Sequence, residues 1–301
     1  MSVRTAPRPY PSLGFRRMRA FTILMLAVAL VNTVVHLLDR PDALVTQAAA
    51  PVTAAAPAQA APPPTPAAVV ASAVSRWHDD ESGHLAVVVQ DLSTGRSHTY
   101  GDTGKAFATA SIVKVDILAT LLLQEQGKLS SAQKEVAARM IRQSSNGAAT
   151  TLWKAIGREK GLAAANATFG LTQTKGGTKG RWGATTTTTA DQLRLLQVVF
   201  TDDSPLTPDS RAYLQSLMGG VARDQNWGVT AADSRGDTHA FVKNGWLPRT
   251  GGWAVTSVGK VEHEGHPLLV AALSDGGSTQ KEGVAVVELV AQNAAKDLVG
   301  A

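Results

Sequence analysis

The sequence predicts an α+β domain in which helices pack on one antiparallel sheet, and three observations support this prediction. Runs of β-branched and aromatic residues bounded by turn residues occur near residue 85 and again from residue 239 onward. Segments with apolar residues at helical spacing occupy most of the interval between these runs. A last segment with helical spacing closes the chain. Strands that come first and last, with helices between them, indicate a single sheet whose two ends come together.

The N-terminal segment has the pattern of a membrane anchor. Residues 21–38 contain no Asp, Glu, Lys or Arg, and a helix of this length would reach roughly 27 Å, close to the hydrocarbon thickness of a bilayer. Five arginines within residues 1–20 precede the first acid, so we expect this tail to be cytoplasmic and the rest to lie outside the cytoplasm. The alternative is a signal cleaved near residues 48–50, which would leave the protein secreted.

A linker follows the anchor. Residues 43–69 contain no charged side chain and mix prolines with alanines, which favours extended backbone without a core of its own. The pattern becomes globular at about residue 70, so we predict one domain over residues 70–301, which we expect to be monomeric.

The elements of this domain follow from hydrophobic periodicity and turn residues. A β-branched run at 85–89, the turn Ser93-Thr94-Gly95 and a second run at 96–100 predict a hairpin. The remaining elements are read in the same way. The predicted helices cover 111–126, 132–143, 148–156, 191–200, 208–218 and 281–299, and the later strands cover 239–246, 253–263 and 268–274.

Composition excludes several classes of protein. The chain has 301 residues, of which 44% are hydrophobic and 18% charged, a balance typical of globular proteins. Of 29 basic residues, five lie in the N-terminal tail, and the other 24 match the 24 acids of the chain. A neutral body offers no basic face for nucleic acid. Because the sequence has no cysteine, disulfides, thiolate catalysis, thiolate metal sites and a lipid-modified N-terminal cysteine are excluded.

One pair of residues combines a nucleophile with a base. Ser111 and Lys114 lie three positions apart at the start of a predicted helix, so their side chains share one helical face. A neutral amine can take the proton of a serine hydroxyl, and both burial and a second cation lower the pKa of a lysine. The helix N-terminus adds backbone N–H groups beside Ser111. Taken alone, the pair also fits a capping serine and a solvated lysine.

Two later segments could complete a site around this pair. Ser144 and Asn146 lie at the junction of two predicted helices, where both residue types also serve as helix caps. Lys243 lies on a predicted strand, where a lysine is also typical of a solvated edge. It is followed by Asn244 and by Gly245, a glycine that permits close approach of another backbone or of a ligand.

The three segments, in this order, resemble the S-x-x-K, S-D-N and K-T-G motifs of the penicillin-recognising serine enzymes, and most closely the class A β-lactamase-like serine hydrolases. The resemblance covers residues 70–301. It implies an antiparallel sheet of about five strands, with the terminal helices on one face and an all-helical subdomain. It also implies that Ser111 is the acylated nucleophile, that Lys114 exchanges its proton and that Ser144 passes a proton to the leaving amine. Lys243 would bind the substrate carboxylate.

The remaining implied roles concern substrate binding, and here the sequence departs from the motifs. Asn146 would hold the substrate amide, Asn244 would supply a second hydrogen-bonding group, and the backbone N–H of Trp246 would join that of Ser111 in an oxyanion hole. Asn244 replaces the usual hydroxyl residue, the usual Asp of the second motif is a serine, and Trp246 is bulky. β-Lactamases place a glutamate between the second and third motifs to activate the deacylating water, but residues 161–190 contain no acid.

The predicted function is therefore that of an extracytoplasmic serine hydrolase or acyl-transferase. It would form an acyl-serine with D-alanyl peptides of the cell wall or with β-lactams, and deacylate slowly because general-base catalysis is worth roughly 10²- to 10⁴-fold. A binding or sensing module without turnover is the alternative, and a true class A β-lactamase is the third reading. We expect no cofactor, no metal and no nucleic-acid partner. Residues 262–266 contain two His and two Glu, but we predict an exposed hairpin tip there.

Overall fold

The computed structural model describes residues 63–81, 83–236 and 240–301, with no side chains for residues 78–81. The predicted cytoplasmic tail, the predicted anchor at 21–38 and most of the predicted linker lie outside these residues. Within the described part of the chain, no helix combines the length and apolarity needed to cross a membrane.

Five antiparallel strands form the central sheet, in the order β2-β1-β7-β6-β5. The N-terminal hairpin therefore pairs with the C-terminal strands through β1 and β7, as the sequence predicts. β5 lies at one edge of the sheet. The strands are β1 (His84–Asp91), β2 (Ser97–Gly101), β5 (Phe241–Arg249), β6 (Gly252–His263) and β7 (His266–Gly277).

Both faces of the sheet are covered, and this explains the continuous apolar run in β1. Ala86 and Val88 belong to the larger hydrophobic core on the side of the helical subdomain. Val87 and Val89 point the other way, into the core beneath the terminal helices. Because successive side chains of a strand face opposite sides, a strand buried on both faces shows an unbroken apolar run instead of an alternating one.

The helices divide between the two faces as expected. The first and last helices, α1 and α8, pack against each other and against one face. α6 packs on the other face against β1 and β7, and with α2 to α5 and α7 it forms the helical subdomain. The helices are α1 (Pro66–Glu81), α2 (Val113–Gln124), α3 (Ser131–Arg142), α4 (Asn146–Ala155), α5 (Arg158–Phe169), α6 (Thr189–Phe200), α7 (Pro208–Met218) and α8 (Gln280–Gly300).

Three elements differ from the sequence predictions. α1 begins at Pro66, inside the predicted linker, because the Thr65 hydroxyl accepts from the N–H of Ala68 and proline is well suited to the first helical turn. α5 was not predicted, since its apolar residues are too scattered to form a clear stripe. A small second sheet pairs β3 (Phe107–Ala108) with β4 (Thr186–Thr187). The tip between β6 and β7 is the hairpin expected at residues 262–266.

Candidate active site

Ser111 lies in a short 3₁₀ turn, Ala110–Ile112, that leads directly into α2. Ala110 has φ 47°, a left-handed conformation that costs an alanine on the order of 1–2 kcal/mol. Strain of this kind persists only where the surroundings hold the backbone in place. Here the small sheet holds it, since the N–H of Thr109 donates to the carbonyl of Thr185 at 2.8 Å. The result is a partly exposed serine at the start of a buried helix.

Lys114 lies one turn further along, on the same face as Ser111, and its side chain is fully buried. Its Nζ is 2.8 Å from Ser111 Oγ. Burial lowers the pKa of Lys114 to about 7, because taking the ammonium out of water disfavours the charged form. A substantial fraction of the amine is therefore neutral at physiological pH.

The contacts of Lys114 suit the neutral amine. Nζ reaches the carbonyl oxygen of Ser144 at 2.6 Å and Asn146 Oδ1 at 2.9 Å, and neither oxygen can donate a hydrogen bond. It also reaches the hydroxyls of Ser111 at 2.8 Å and Ser144 at 3.0 Å. A neutral amine gives its two N–H groups to the two oxygens that only accept, which leaves its lone pair for a hydroxyl proton. Lys114 is thus arranged to take a proton from Ser111.

Ser144 lies in the loop between α3 and α4, and its φ of 53° is again left-handed. The neighbouring Ser145 caps α4 by accepting from the N–H of Ala148 at 3.3 Å. This contact accounts for a serine where the related motif has Asp, because either residue type can cap a helix. The cap holds Ser144 and Asn146 beside Lys114.

The side chain of Lys243, on β5, also reaches Ser144. Its Nζ donates to Ser144 Oγ at 3.0 Å and to the carbonyl of Asn244 at 2.9 Å. Burial, and to a lesser extent the charge of Lys114, lowers the pKa of Lys243 to about 7. The Ser144 hydroxyl therefore lies between two buried amines, and protons can pass through it from one to the other.

Gly245 brings β5 against the nucleophile. A Cβ at this position would lie 2.5 Å from the backbone nitrogen of Ser111 and 2.8 Å from the carbonyl oxygen of Thr109. Only glycine fits such a close approach. The next residue, Trp246, packs with its ring centroid 5.9 Å from that of Trp227. The role of the Trp246 N–H in an oxyanion hole stays a prediction.

The expected role of Asn244 as a substrate contact is wrong. Its side chain is fully buried, and Nδ2 donates to the carbonyls of Gln225 at 2.8 Å and Trp227 at 2.9 Å. Its Oδ1 accepts from Ser257 Oγ at 2.6 Å. Lys243 and Asn244 are successive on a strand, so their side chains face opposite ways. Asn244 therefore anchors the segment before β5 to the sheet and has no free polar group for a substrate.

Trp182 belongs to the site and was missed. It begins the 3₁₀ turn Trp182–Ala184, and Lys114 Nζ lies 4.9 Å from its ring centroid. The indole N–H donates to Thr150 Oγ1 at 3.1 Å, which fixes the ring. An aromatic face attracts a cation, so Trp182 opposes the effect of burial by favouring protonated Lys114. The sequence held one clue to this residue: Trp182 is an aromatic residue within the stretch 161–190, where the related enzymes place their glutamate and this chain has no acid.

The structure thus brings Ser111, Lys114, Ser144, Asn146 and Lys243 into one connected group. Among the described residues, no three His, Cys, Asp or Glu side chains cluster in a way that could hold a metal ion. The arrangement offers a hydroxyl, an adjacent buried amine and a second hydroxyl that leads to a second amine. These are the parts that nucleophilic acyl transfer requires.

Comparison with known proteins defines the class. Residues 131–298, more than half of the chain, match the family described as the beta-lactamase enzyme family, and the protein belongs to it. Among curated proteins, the chain is 29% identical over 196 residues to proteins named "Putative lipoprotein LppW" from Mycobacterium bovis and Mycobacterium tuberculosis. The match covers 62% of this chain and 62% of those relatives, which is less than two thirds of their length.

Solved structures share the fold. A β-lactamase from Xanthomonas campestris pv. campestris is 20% identical, with a TM-score of 0.63 over 78% of this chain and 99% of that chain. A β-lactamase from Streptosporangium roseum is 19% identical, with a TM-score of 0.63 over 77% and 99%. A mutant of PBP-A, solved as an acyl-enzyme complex with penicillin G, is 18% identical, with a TM-score of 0.65 over 77% and 97%. The α+β fold with its five-stranded antiparallel sheet is therefore that of the β-lactamases and PBP-A.

Proposed function

We propose that this protein is a serine acyl-transferase or hydrolase that forms an acyl-enzyme on Ser111 with D-alanyl peptides or with β-lactams. The observation that carries the proposal is the position of Lys114 Nζ, 2.8 Å from Ser111 Oγ and buried enough that its pKa falls to about 7. A hydroxyl in this setting has a base within hydrogen-bond distance, which is the first requirement for a nucleophilic serine.

The proposed reaction begins when Ser111 Oγ attacks the acyl carbonyl carbon while its proton moves to Lys114. Backbone N–H groups beside Ser111 stabilise the charge on the carbonyl oxygen. The carbon–nitrogen bond then breaks, and the Ser144 hydroxyl gives its proton to the leaving nitrogen. Lys114 Nζ, 3.0 Å from Ser144 Oγ, returns a proton to Ser144. The leaving group is an amine for a peptide and the opened ring nitrogen for a β-lactam.

Substrate binding would give the two lysines different pKa values. Lys243 lies 3.0 Å from Ser144 Oγ and has no carboxylate partner among the contacts described for it. A substrate carboxylate placed beside Lys243 raises the pKa of that lysine, because an opposite charge favours the ammonium. A charged Lys243 then disfavours charge on Lys114. The carboxylate of the substrate would thus help to keep the base neutral.

We propose that deacylation is slow. The stretch 161–190 contains no acid, and the side chain that it places beside Lys114 is Trp182. An indole cannot act as a general base for water. The acyl-enzyme would therefore accumulate, which favours a peptidase, an amine acyl-transferase or a penicillin-binding protein over a true β-lactamase.

We place the domain outside the cytoplasm. The curated relatives are named as lipoproteins, a class with membrane-attached domains, and D-alanyl peptides of the cell wall are external substrates. This chain has no cysteine for lipid attachment, so we propose residues 21–38 as its anchor. Antibody labelling of intact cells, before and after permeabilisation, checks this location. Signal that requires permeabilisation would contradict it.

A binding or sensing module is the second candidate, favoured by the buried Asn244 and by the missing acid. Incubation of the full chain, purified in detergent, with a fluorescent penicillin tests the main proposal. We expect covalent label on the wild type and none on Ser111→Ala. Label that survives this substitution would refute the assignment of the nucleophile. Multiple-turnover hydrolysis of a chromogenic β-lactam would instead point to a β-lactamase.

A further inference from the structure

A cleft adjoins the residues that contact Lys114. It has a volume of about 630 Å³, and Asn146 and Trp182, both in contact with Lys114, lie at its edge. One wall is the loop that contains Trp182, and the other is the end of β5 from Leu247 to Arg249. Two residues that contact Lys114 therefore also line the cleft.

The direction of β5 shows which part of a substrate enters this cleft. Gly245 lies against Ser111, Lys243 lies two residues before it, and Arg249 lies four residues after it. At 3.3 Å per residue, Arg249 is roughly 13 Å along the strand from Gly245. A substrate whose carboxylate meets Lys243 extends its acyl side in the opposite direction. That side would reach the cleft.

The cleft carries positive charge from both walls. Arg181 lies on the loop wall and Arg249 on the strand wall, and both are exposed. In the part of the chain that the structure describes, neither guanidinium takes part in an ion pair. None of the residues that line the cleft is acidic. Two guanidinium groups that face one cleft without carboxylate partners favour an anionic ligand.

One acid near Arg249, Asp275, already has hydrogen-bond and ion-pair partners. Asp275 shares a smaller neighbouring cavity with Arg249. Its carboxylate pairs with Lys105 Nζ at 3.7 Å and accepts from the backbone N–H of His84 at 2.9 Å. Asp275 therefore lowers the positive potential near Arg249 without removing it.

Four apolar residues line the cleft together with the two arginines, and its other polar residues are uncharged. The apolar residues are Trp182, Ala184, Leu247 and Pro248, and the uncharged polar ones are Asn146, Thr186 and Thr250. Such a surface accommodates a hydrocarbon segment better than a string of polar groups. A fitting ligand has an aliphatic stem that crosses the apolar walls and a charged end that reaches the guanidinium groups.

We infer that this cleft selects acyl donors whose acyl side ends in a free carboxylate on an aliphatic stem, with Arg181 and Arg249 as the specificity-determining residues. The inference rests on the proposed function, because it assumes that Ser111 is acylated. It adds a second anionic group to the substrate, remote from the carboxylate that Lys243 would bind. A donor with only one of the two charges would be a poorer substrate.

Two penicillins made from the same nucleus test this inference. One has an adipoyl side chain that ends in a carboxylate, and the other has the matching amide at its end. We expect the wild type to be acylated about fivefold faster by the carboxylate compound, with the ratio falling as salt is added. The double variant R181Q/R249Q should bring the ratio to about one. The control R76Q removes the same kind of exposed charge from α1, on the other face of the sheet, and should keep the wild-type ratio.

Two outcomes would overturn the inference: equal rates for the two penicillins on the wild type, or a preference that survives in R181Q/R249Q. Binding of both compounds to Ser111→Ala, measured by calorimetry, separates this inference from the proposed function. If neither compound acylates the wild type but Ser111→Ala binds the carboxylate compound more tightly through the two arginines, the proposed function fails, and the preference of the cleft for a carboxylate stands as a binding preference alone. Equal binding in that experiment overturns the inference as well.

Discussion

The rate at which Ser111 is acylated should follow the titration of Lys114. Burial lowers the pKa of Lys114 from 10.5 to about 7. With a pKa of about 7, the neutral fraction rises from about 9% at pH 6 to about 91% at pH 8, roughly a tenfold increase that then levels off. A lysine with a pKa of 10.5 would instead gain roughly a hundredfold over this interval and continue to rise. The plateau distinguishes the two cases.

The assay is the first-order rate of acylation at saturating benzylpenicillin, measured from pH 5.5 to 9.5 by intact mass, because the bound carboxylate then keeps Lys243 charged while Lys114 titrates. The penicillin carboxylate stays ionised throughout, so the profile reports the enzyme. The variant Lys243→Met removes a like charge from the network, and the midpoint should then move to higher pH. A rate that climbs without a plateau, or one that is flat from pH 5.5, would contradict the assignment of Lys114 as the base.

Further predictions concern the stability of the protein and the close approach of β5 to Ser111. The unfolded chain keeps Lys114 protonated up to about pH 10.5 and the folded protein only up to about 7, so stability rises with pH between these values. Lys114→Met should therefore stabilise the protein by about 1–3 kcal/mol at pH 6.5, with a smaller gain at pH 9.5, in urea unfolding. Gly245→Ala should abolish acylation, because the added Cβ would meet the backbone of Ser111. Gly251→Ala is the control and should leave the acylation rate unchanged, because no atom lies within 4 Å of a Cβ at that position. Equal acylation rates in the two variants would contradict the close approach of β5 to Ser111. Asn244→Ala should cost about 2–4 kcal/mol of stability, because two carbonyls lose their donor, and no loss in chemical denaturation would contradict the buried network. Asp116 is buried, and one of its carboxyl oxygens has no hydrogen-bond partner. Burial raises the pKa of Asp116 from 3.8 to about 7, so between these pH values the carboxyl group is protonated in the folded protein and ionised in the unfolded chain. The stability of the protein therefore falls as the pH rises from 3.8 to about 7. Asp116→Asn should stabilise by about 1–3 kcal/mol at pH 8 and not at pH 4, and a gain that is independent of pH would contradict a protonated Asp116.

Most of the fold could be predicted because its elements carry strong local signals. β1 contains an unbroken apolar run at residues 85–89, and most helices of the subdomain have apolar residues at helical spacing. α5 has no such stripe and forms because its few large apolar residues, among them Leu162 and Phe169, complete a core that other helices build. Tertiary packing of this kind leaves little trace in a short window of sequence.

The site could be predicted in part, for a similar reason. Ser111 and Ser144 lie just before helices, and Lys243 lies on a strand next to a glycine, so each residue belongs to a short stretch of sequence that can be recognised as a motif. The burial of Asn244 follows from the two-residue period of a strand, and that period could have placed it opposite Lys243. The contact between Trp182 and Lys114 joins two segments far apart in the chain, so the sequence can draw attention to the aromatic residue but cannot identify Lys114 as its partner.

Intact-mass spectrometry of the full chain with benzylpenicillin, followed over several hours, tests most directly whether Ser111 is acylated and only slowly deacylated. Ring opening expels no atoms, so the wild type should gain the whole mass of the penicillin and lose it slowly, while Ser111→Ala gains nothing. A wild-type protein that never gains mass, or an identical gain on Ser111→Ala, would contradict the account.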